Sequence, residues 1–289
     1  MRYKGIVIRP PSEARSYILQ VTYGCSHNAC TFCPTYKGVR FSPRRLDEVV
    51  QDINEACLAF PWTRRVFLAD GNALCLPTDR LSFILERLRT AFPRLERVGI
   101  YSNAADILGK SEEELKELRR LGLGIVYLGL ESGDDRVLER VKKGSTAEEM
   151  VEAVLKAKEC GLLTSVIVLL GLGGVDGSID HAVKSAEAVS RMNPHYLSAL
   201  TLMLVPGTPL YRDWEEGRFH MPDQEGLLRE LRAFLGNCRL DGCVFRTNHA
   251  SNYLPLAGTL NRDRERLIET IDRALSDPSM LRPEYMRGL

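Results

Sequence analysis

The sequence lacks a surplus of either charge: 39 Lys and Arg stand against 38 Asp and Glu, for a formal net charge of +1. No global field therefore steers the chain toward nucleic acid or an anionic surface, although local basic patches remain open. Long hydrophobic runs are also missing. Residues 1–10 hold no apolar stretch of the kind a secretory leader needs, so no signal peptide is expected. The most apolar stretch, residues 161–174, is too short to span a bilayer and ends in glycines. The expectation is a soluble, cytoplasmic protein without membrane contact. With 44% hydrophobic residues over 289 positions, there is apolar mass for one large domain, or a domain with an appendage.

A fourth member is missing from the one dense cysteine group. Cys25, Cys30 and Cys33 lie within nine residues, spaced C-x4-C-x2-C, and the other five cysteines are scattered. In a cytoplasmic chain these read as metal ligands and buried thiols rather than disulfides. Cys57 and Cys160 fall on apolar helix faces and are expected in the core. Cys238 and Cys243 make only a pair, where a further cluster would need about four ligands. Three thiolates suit a soft metal or an iron–sulfur cluster. A structural zinc ion usually takes four ligands, and His27 inside the loop offers the fourth, so a zinc-binding α/β module without catalysis stays open. A cubane held by three cysteines instead leaves one iron free to bind another molecule.

Alternating and continuous apolar runs predict strands over residues 17–23, 65–69, 97–102, 124–130, 163–170 and 196–204. Between them, helical spacing and start signals predict helices over 43–59, 78–92, 111–121, 136–141, 146–160 and 178–192. Ser111 with Glu114, and Thr146 with Glu149, have capping-box spacing. Shorter helices are expected over 209–216 and 222–235, then a strand at Val244 and Phe245 and a final helix over 262–275. Strands alternating with helices argue an α/β fold with a parallel sheet, either open or closed into a full or partial barrel. In either, ligands bind at the C-terminal ends of the strands.

A strand followed by a three-cysteine loop, with the aromatic Phe32 just before the last cysteine, resembles the radical S-adenosylmethionine (SAM) superfamily. The usual spacing there is C-x3-C-x2-C, and this chain carries one residue more between the first two cysteines. The resemblance implies a partial (β/α)6 TIM-like barrel with parallel strands over residues 17–235. An N-terminal segment, 1–16, would precede it. A C-terminal extension, 236–289, would close it and contribute to a substrate site. The resemblance further implies a [4Fe-4S] cluster on Cys25, Cys30 and Cys33, with SAM on the open iron. Reductive cleavage would yield a 5′-deoxyadenosyl radical that abstracts hydrogen from a substrate. A reducing electron donor such as a flavodoxin or ferredoxin is implied as partner.

The strand ends carry the remaining candidates. Gly129 to Asp135, followed by Lys142-Lys143-Gly144, resembles a segment of the branch holding the methylthiotransferases, the Elongator catalytic subunit and anaerobic coproporphyrinogen oxidase. There, the positions of Glu131 and Lys143 contact the SAM ribose and carboxylate. Asp70-Gly71-Asn72 stands where the family has a Gly-Gly-Glu-like motif for the SAM amino group. The glutamate is absent, and Asp70 or backbone carbonyls beside Gly71 would accept instead. Ser102, Gly171 and Pro206 end later strands and are expected near SAM; each is equally at home in a turn. Phe32 is expected beside the cluster, and Cys75 is a candidate hydrogen donor. Outside the resemblance, Arg246, Asn248, His249 and Asn252 form a polar group between apolar Val244-Phe245 and Leu254-Pro255-Leu256, and are the substrate candidates. No appended oligonucleotide-binding domain is visible, so a small-molecule substrate is preferred, a nucleic-acid partner is disfavoured, and an RNA-modifying enzyme of the same superfamily is an alternative.

Overall fold

In a computed structural model, residues 2–288 are described. Residues 1 and 289, the outer bounds of the two expected terminal segments, lie outside the described residues. Among the described residues eight strands form one sheet in chain order. They are β1 (Tyr17–Gln20), β2 (Arg65–Ala69), β3 (Arg97–Ser102), β4 (Leu123–Glu131), β5 (Leu163–Leu170), β6 (Tyr196–Thr201), β7 (Cys243–Arg246) and β8 (Ala257–Leu260). The neighbouring pairs β1/β2, β2/β3, β3/β4, β5/β6 and β6/β7 are parallel, and β7/β8 is antiparallel. The α-helices of the described residues are α1 (Leu46–Ala59), α2 (Thr78–Ala91), α3 (Ala104–Leu108), α4 (Glu112–Arg120), α5 (Asp135–Arg140), α6 (Ala147–Glu159), α7 (Gly174–Met192), α8 (Pro209–Glu215), α9 (Gln224–Asn237) and α10 (Arg264–Ser276). Among the described residues, no helix is long and apolar enough to cross a membrane.

The expected parallel α/β sheet is thus present, with differences at element ends. The first strand stops at Gln20, and Thr22–Tyr23 instead pairs antiparallel with Ser42–Pro43. Pro43, expected in the first turn of a helix, sits in that ribbon, and α1 begins at Leu46. Proline has no N–H to donate and suits the end of a two-residue ribbon. α7 starts at Gly174, four residues before the expected start, because glycines that look like a turn are its first turn. Strand β8 and helix α3 have patterns too short to read by period.

The chain divides into two units. One holds the residues up to Asn28, Thr35–Leu128 and Glu152–Thr164. On one face of its strands Ile18, Phe67, Ala69, Ile125 and Tyr127 form an apolar cluster, two residues apart along each strand, as the pleat requires. The alternate residues Leu19, Val66, Leu68, Val98, Ile100 and Val126 are buried too, so both faces are covered and the strands read as continuous apolar runs. Glu13 is fully buried. Its carboxylate accepts from Arg97 Nη2 (2.5 Å), Tyr127 OH and Ser16 Oγ, so the buried charge is paired. The Ser111/Glu114 capping box is formed at α4.

The other unit holds Ala29–Pro34, Gly129–Val151 and the residues from Ser165 onward. Its core joins Val137, Val141, Leu169, Leu172, Leu202, Leu210 and Phe219. The Thr146/Glu149 box is formed, with Glu149 N–H donating to Thr146 Oγ1 (3.2 Å) and Thr146 N–H to Glu149 Oε2 (2.8 Å).

Candidate functional site

Cys25 lies in the first unit, Cys30 and Cys33 in the second. All three cysteines are half-buried and stand outside any disulfide. Among the described residues no three His, Cys, Asp or Glu side chains stand together as a metal site. Around Cys25 the chain is tightly built. Gly71, just past β2, has φ +33°, and a Cβ there would come 2.6 Å from Cys25 Cα. Only glycine lets the end of β2 touch the cysteine loop so closely. Gly71 N–H donates to Tyr36 OH (2.9 Å). Asp70 is buried, and its carboxylate accepts from Gln20 Nε2 (2.7 Å) and Tyr36 OH (3.3 Å). Burial raises its pKa against the lowering effect of those bonds. The oxygens of Asp70 are therefore turned to its own neighbours.

Asn72, named in the strand-end triplet but given no role of its own, ties this loop to the end of β2. Its Oδ1 accepts from Ser26 N–H (2.9 Å) and Cys25 Sγ (3.4 Å), and its Nδ2 donates to Ser26 Oγ (2.8 Å) and both oxygens of Asp106. A hydrogen-bonding residue directly after a strand-end glycine was the available signal. Cys75 ends the turn Ala73–Cys75; burial pushes its thiol up to about 11, with Asp106 and Cys25 adding to the rise and the Ser26 hydroxyl opposing it. Ser102 ends β3 and spends its hydroxyl on Asn103 O (2.8 Å).

In the second unit Thr31 anchors the Cys30–Cys33 segment. Its N–H donates to Val141 O (2.9 Å) and its C=O accepts from Leu210 N–H (3.1 Å). Phe32 packs against the core of this unit. Lys143 Nζ pairs with Glu131 Oε1 at 3.1 Å, with side chains only 8% and 13% exposed. Glu131 has φ +63°, a left-handed conformation uncommon outside glycine. Its side chain folds back over Gly129, where a Cβ would fall on Glu131 Oε1 and 3.1 Å from Lys143 Nζ. Strain of this sort persists where surrounding contacts impose it, and it clusters at functional sites.

Gly171 has φ +86°, a left-handed conformation that favours glycine, and a Cβ there would come closest to the flexible end of Met221, at 2.7 Å. Its N–H donates to Glu230 Oε1 (2.7 Å). Pro206 is exposed in the turn that Thr208 closes through Val205 O (2.8 Å). Of the substrate candidates, Asn248 is exposed and His249 Nδ1 meets Ser251 Oγ at 2.9 Å. Arg246 Nη1 donates to Phe245 O (2.7 Å). Asn252 is buried and spends its amide on Ala199 O (2.9 Å), Thr247 O (3.0 Å) and Thr201 Oγ1 (2.9 Å), tying its segment to β6.

The chemistry of these side chains suits a soft metal or an iron–sulfur cluster: each is a half-buried thiol, and Cys25 lies beside a backbone cradle that a Cβ would fill. A family model described as the radical SAM superfamily matches residues 19–186. The chain is 22% identical over 166 residues to the heme chaperone HemW of Bacillus subtilis, covering 57% of this chain and 43% of that protein. It is 28% identical over 109 residues to the tRNA uridine(34) acetyltransferase of Methanocaldococcus jannaschii, covering 37% and 20%. The chain thus spans less than half the length of either curated relative. Among solved structures it resembles coproporphyrinogen III oxidase from Escherichia coli, with a TM-score of 0.56, 16% identity, and 76% and 52% coverage. At that identity the likeness shows the fold.

Proposed function

This chain belongs to the radical SAM superfamily, and from that premise we propose that it cleaves SAM reductively to initiate hydrogen abstraction from a small-molecule substrate. Cys25, Cys30 and Cys33 would hold a [4Fe-4S] cluster, which when bound would supply the electron for reductive cleavage of SAM and so the means of hydrogen abstraction. The carrying observation is that one matched stretch, residues 19–186, contains the three cysteines, the crowded end of β2 and the Glu131–Lys143 pair.

Cys25, Cys30 and Cys33 hold the cluster. Lys143 presents its ammonium to the carboxylate of SAM, and Glu131 accepts from ribose hydroxyls while keeping that ammonium in place. With the oxygens of Asp70 spent on Gln20 and Tyr36, the SAM amino group is received by the backbone carbonyl of Gly71. Ser102, Gly171 and Pro206 each shape the backbone of their own strand end, and Phe32 anchors the loop. Cys75, held as a protonated thiol, is the candidate hydrogen donor. Residues 17–235 form the catalytic portion after a lead-in over 1–16. The extension 236–289 carries the substrate contacts Arg246, Asn248 and His249, with Asn252 holding their segment. A flavodoxin or ferredoxin supplies electrons in the cytoplasm.

The test is anaerobic: reconstitution with iron and sulfide, addition of SAM and dithionite, and assay of 5′-deoxyadenosine, with Cys33→Ala as control. Production by wild type and not by the variant is expected. Stoichiometric zinc with no iron uptake would sink the reading. The match to a tRNA-modifying enzyme favours RNA as a second substrate class, and stimulation of cleavage by tRNA would select it.

A further inference from the structure

We propose that Asn72 is the positioning residue for Cys25, and that its clamp accommodates the longer C-x4-C spacing of this chain. The inference rests on the cluster reading above. Asn72 is 2% exposed, and both ends of its amide are engaged. Its orientation is set by Asp106: Nδ2 lies 3.0 and 2.9 Å from the two carboxylate oxygens, and a flipped amide would turn Oδ1 against them. Asp106 is itself held at the start of α3 by Asn103 N–H (2.8 Å). So oriented, Oδ1 meets Ser26 N–H and the Cys25 thiol, while Nδ2 meets Ser26 Oγ (2.8 Å).

The four residues between Cys25 and Cys30 are pinned a second time. Asn28 takes a left-handed φ of +41°, and its Nδ2 donates to Tyr36 O (2.7 Å) and Val39 O (3.3 Å). The first and third residues of the lengthened insert are thus both tied down by asparagine amides. Ordering a loop residue costs about 1–2 kcal/mol, and these bonds meet that cost before any ligand arrives. The two bonds to Ser26 do not involve the thiol, so they hold the shape of the loop by themselves.

The experiment uses anaerobic, reduced apoprotein and iodoacetamide, with alkylation of Cys25 and Cys33 quantified by mass spectrometry in the same molecule. Loss of one hydrogen bond predicts that Asn72→Ala raises the Cys25:Cys33 rate ratio about fivefold. Asp106→Ala should act alike, and the double variant should add nothing further, because Asp106 works through Asn72. Asp106→Asn replaces one of the two acceptors of Nδ2 by an NH2 and should fall between wild type and Asp106→Ala. If Asn72→Ala does not fold, Asp106→Ala carries the same comparison. Reconstituted Asn72→Ala should also lose iron to a chelator several-fold faster than wild type. An unchanged Cys25:Cys33 ratio in the alanine variants would overturn the assignment. A wild type that takes up no cluster would sink the functional reading instead, and the alkylation ratio would still decide the role of Asn72.

Discussion

Glu230 gives the sharpest test of how the second unit is held together. It is 0% exposed on α9, yet it ties the end of β5 to α7 through Gly171 N–H and Ser178 Oγ. His181 Nε2 lies 3.5 Å from Glu230 Oε1, and His181 Nδ1 meets Ser132 Oγ at 2.8 Å, next to Glu131. Burial pushes Glu230 from 4.5 up to about 7, against the lowering effect of its two hydrogen bonds. Below pH 4.5 the folded and unfolded chains both carry this proton. Between pH 4.5 and about 7 the unfolded chain loses it while the folded chain keeps it; above that the fold bears an ionised, buried carboxylate. Stability from Glu230 is therefore present in acid and lost as pH rises through about 7. At about 1.4 kcal/mol per tenfold in proton affinity, the full loss is about 3 kcal/mol, most of it between pH 5 and 8. Glu230→Gln keeps an acceptor for Gly171 N–H and carries no charge. Its stability relative to wild type, from urea unfolding at pH 5, 6, 7 and 8, should rise by about 2–3 kcal/mol across that series. His181 runs the other way, since burial lowers its pKa to about 4 and the unfolded chain gains its proton first as pH falls. The comparison at each pH is therefore between variant and wild type. A difference that stays flat from pH 5 to 8 would refute a neutral, buried Glu230.

Two further substitutions probe the strand ends. Gly71→Ala places a Cβ 2.6 Å from Cys25 Cα at a positive φ, so the cysteine loop must shift; iron and sulfide bound per chain after reconstitution should fall well below wild type, and an unchanged content would contradict the close approach. Lys143→Met strands the largely buried Glu131 carboxylate, with an expected cost of about 3 kcal/mol by denaturant unfolding and a loss of SAM affinity of about tenfold or more by equilibrium binding. Adding Glu131→Gln should restore much of that stability and none of the affinity.

Local features carried much of the reading. The alternation of strands and helices, both capping boxes, and the three-cysteine loop after β1 are written in residues a few positions apart, where period and side-chain chemistry act directly. That is why the family resemblance could be seen from spacing, with one residue more than usual between the first two cysteines. Backbone detail at the element ends was less legible. Glycines at 173 and 174 signal a turn, and only the surrounding packing makes them the first turn of α7. The placement of polar side chains depended on tertiary structure. Asn72 reaches a loop 46 residues away, and Glu230 reaches Gly171 across 59. Asn252 looked like a substrate contact and instead spends its amide on β6 and its own segment. Asp70 looked outward from a strand end and is satisfied by Gln20 and Tyr36. A chain pattern specifies which residues can hydrogen-bond. Which partners they find is decided when folding removes water from them, because each buried donor or acceptor must then pair with whatever the topology has brought alongside.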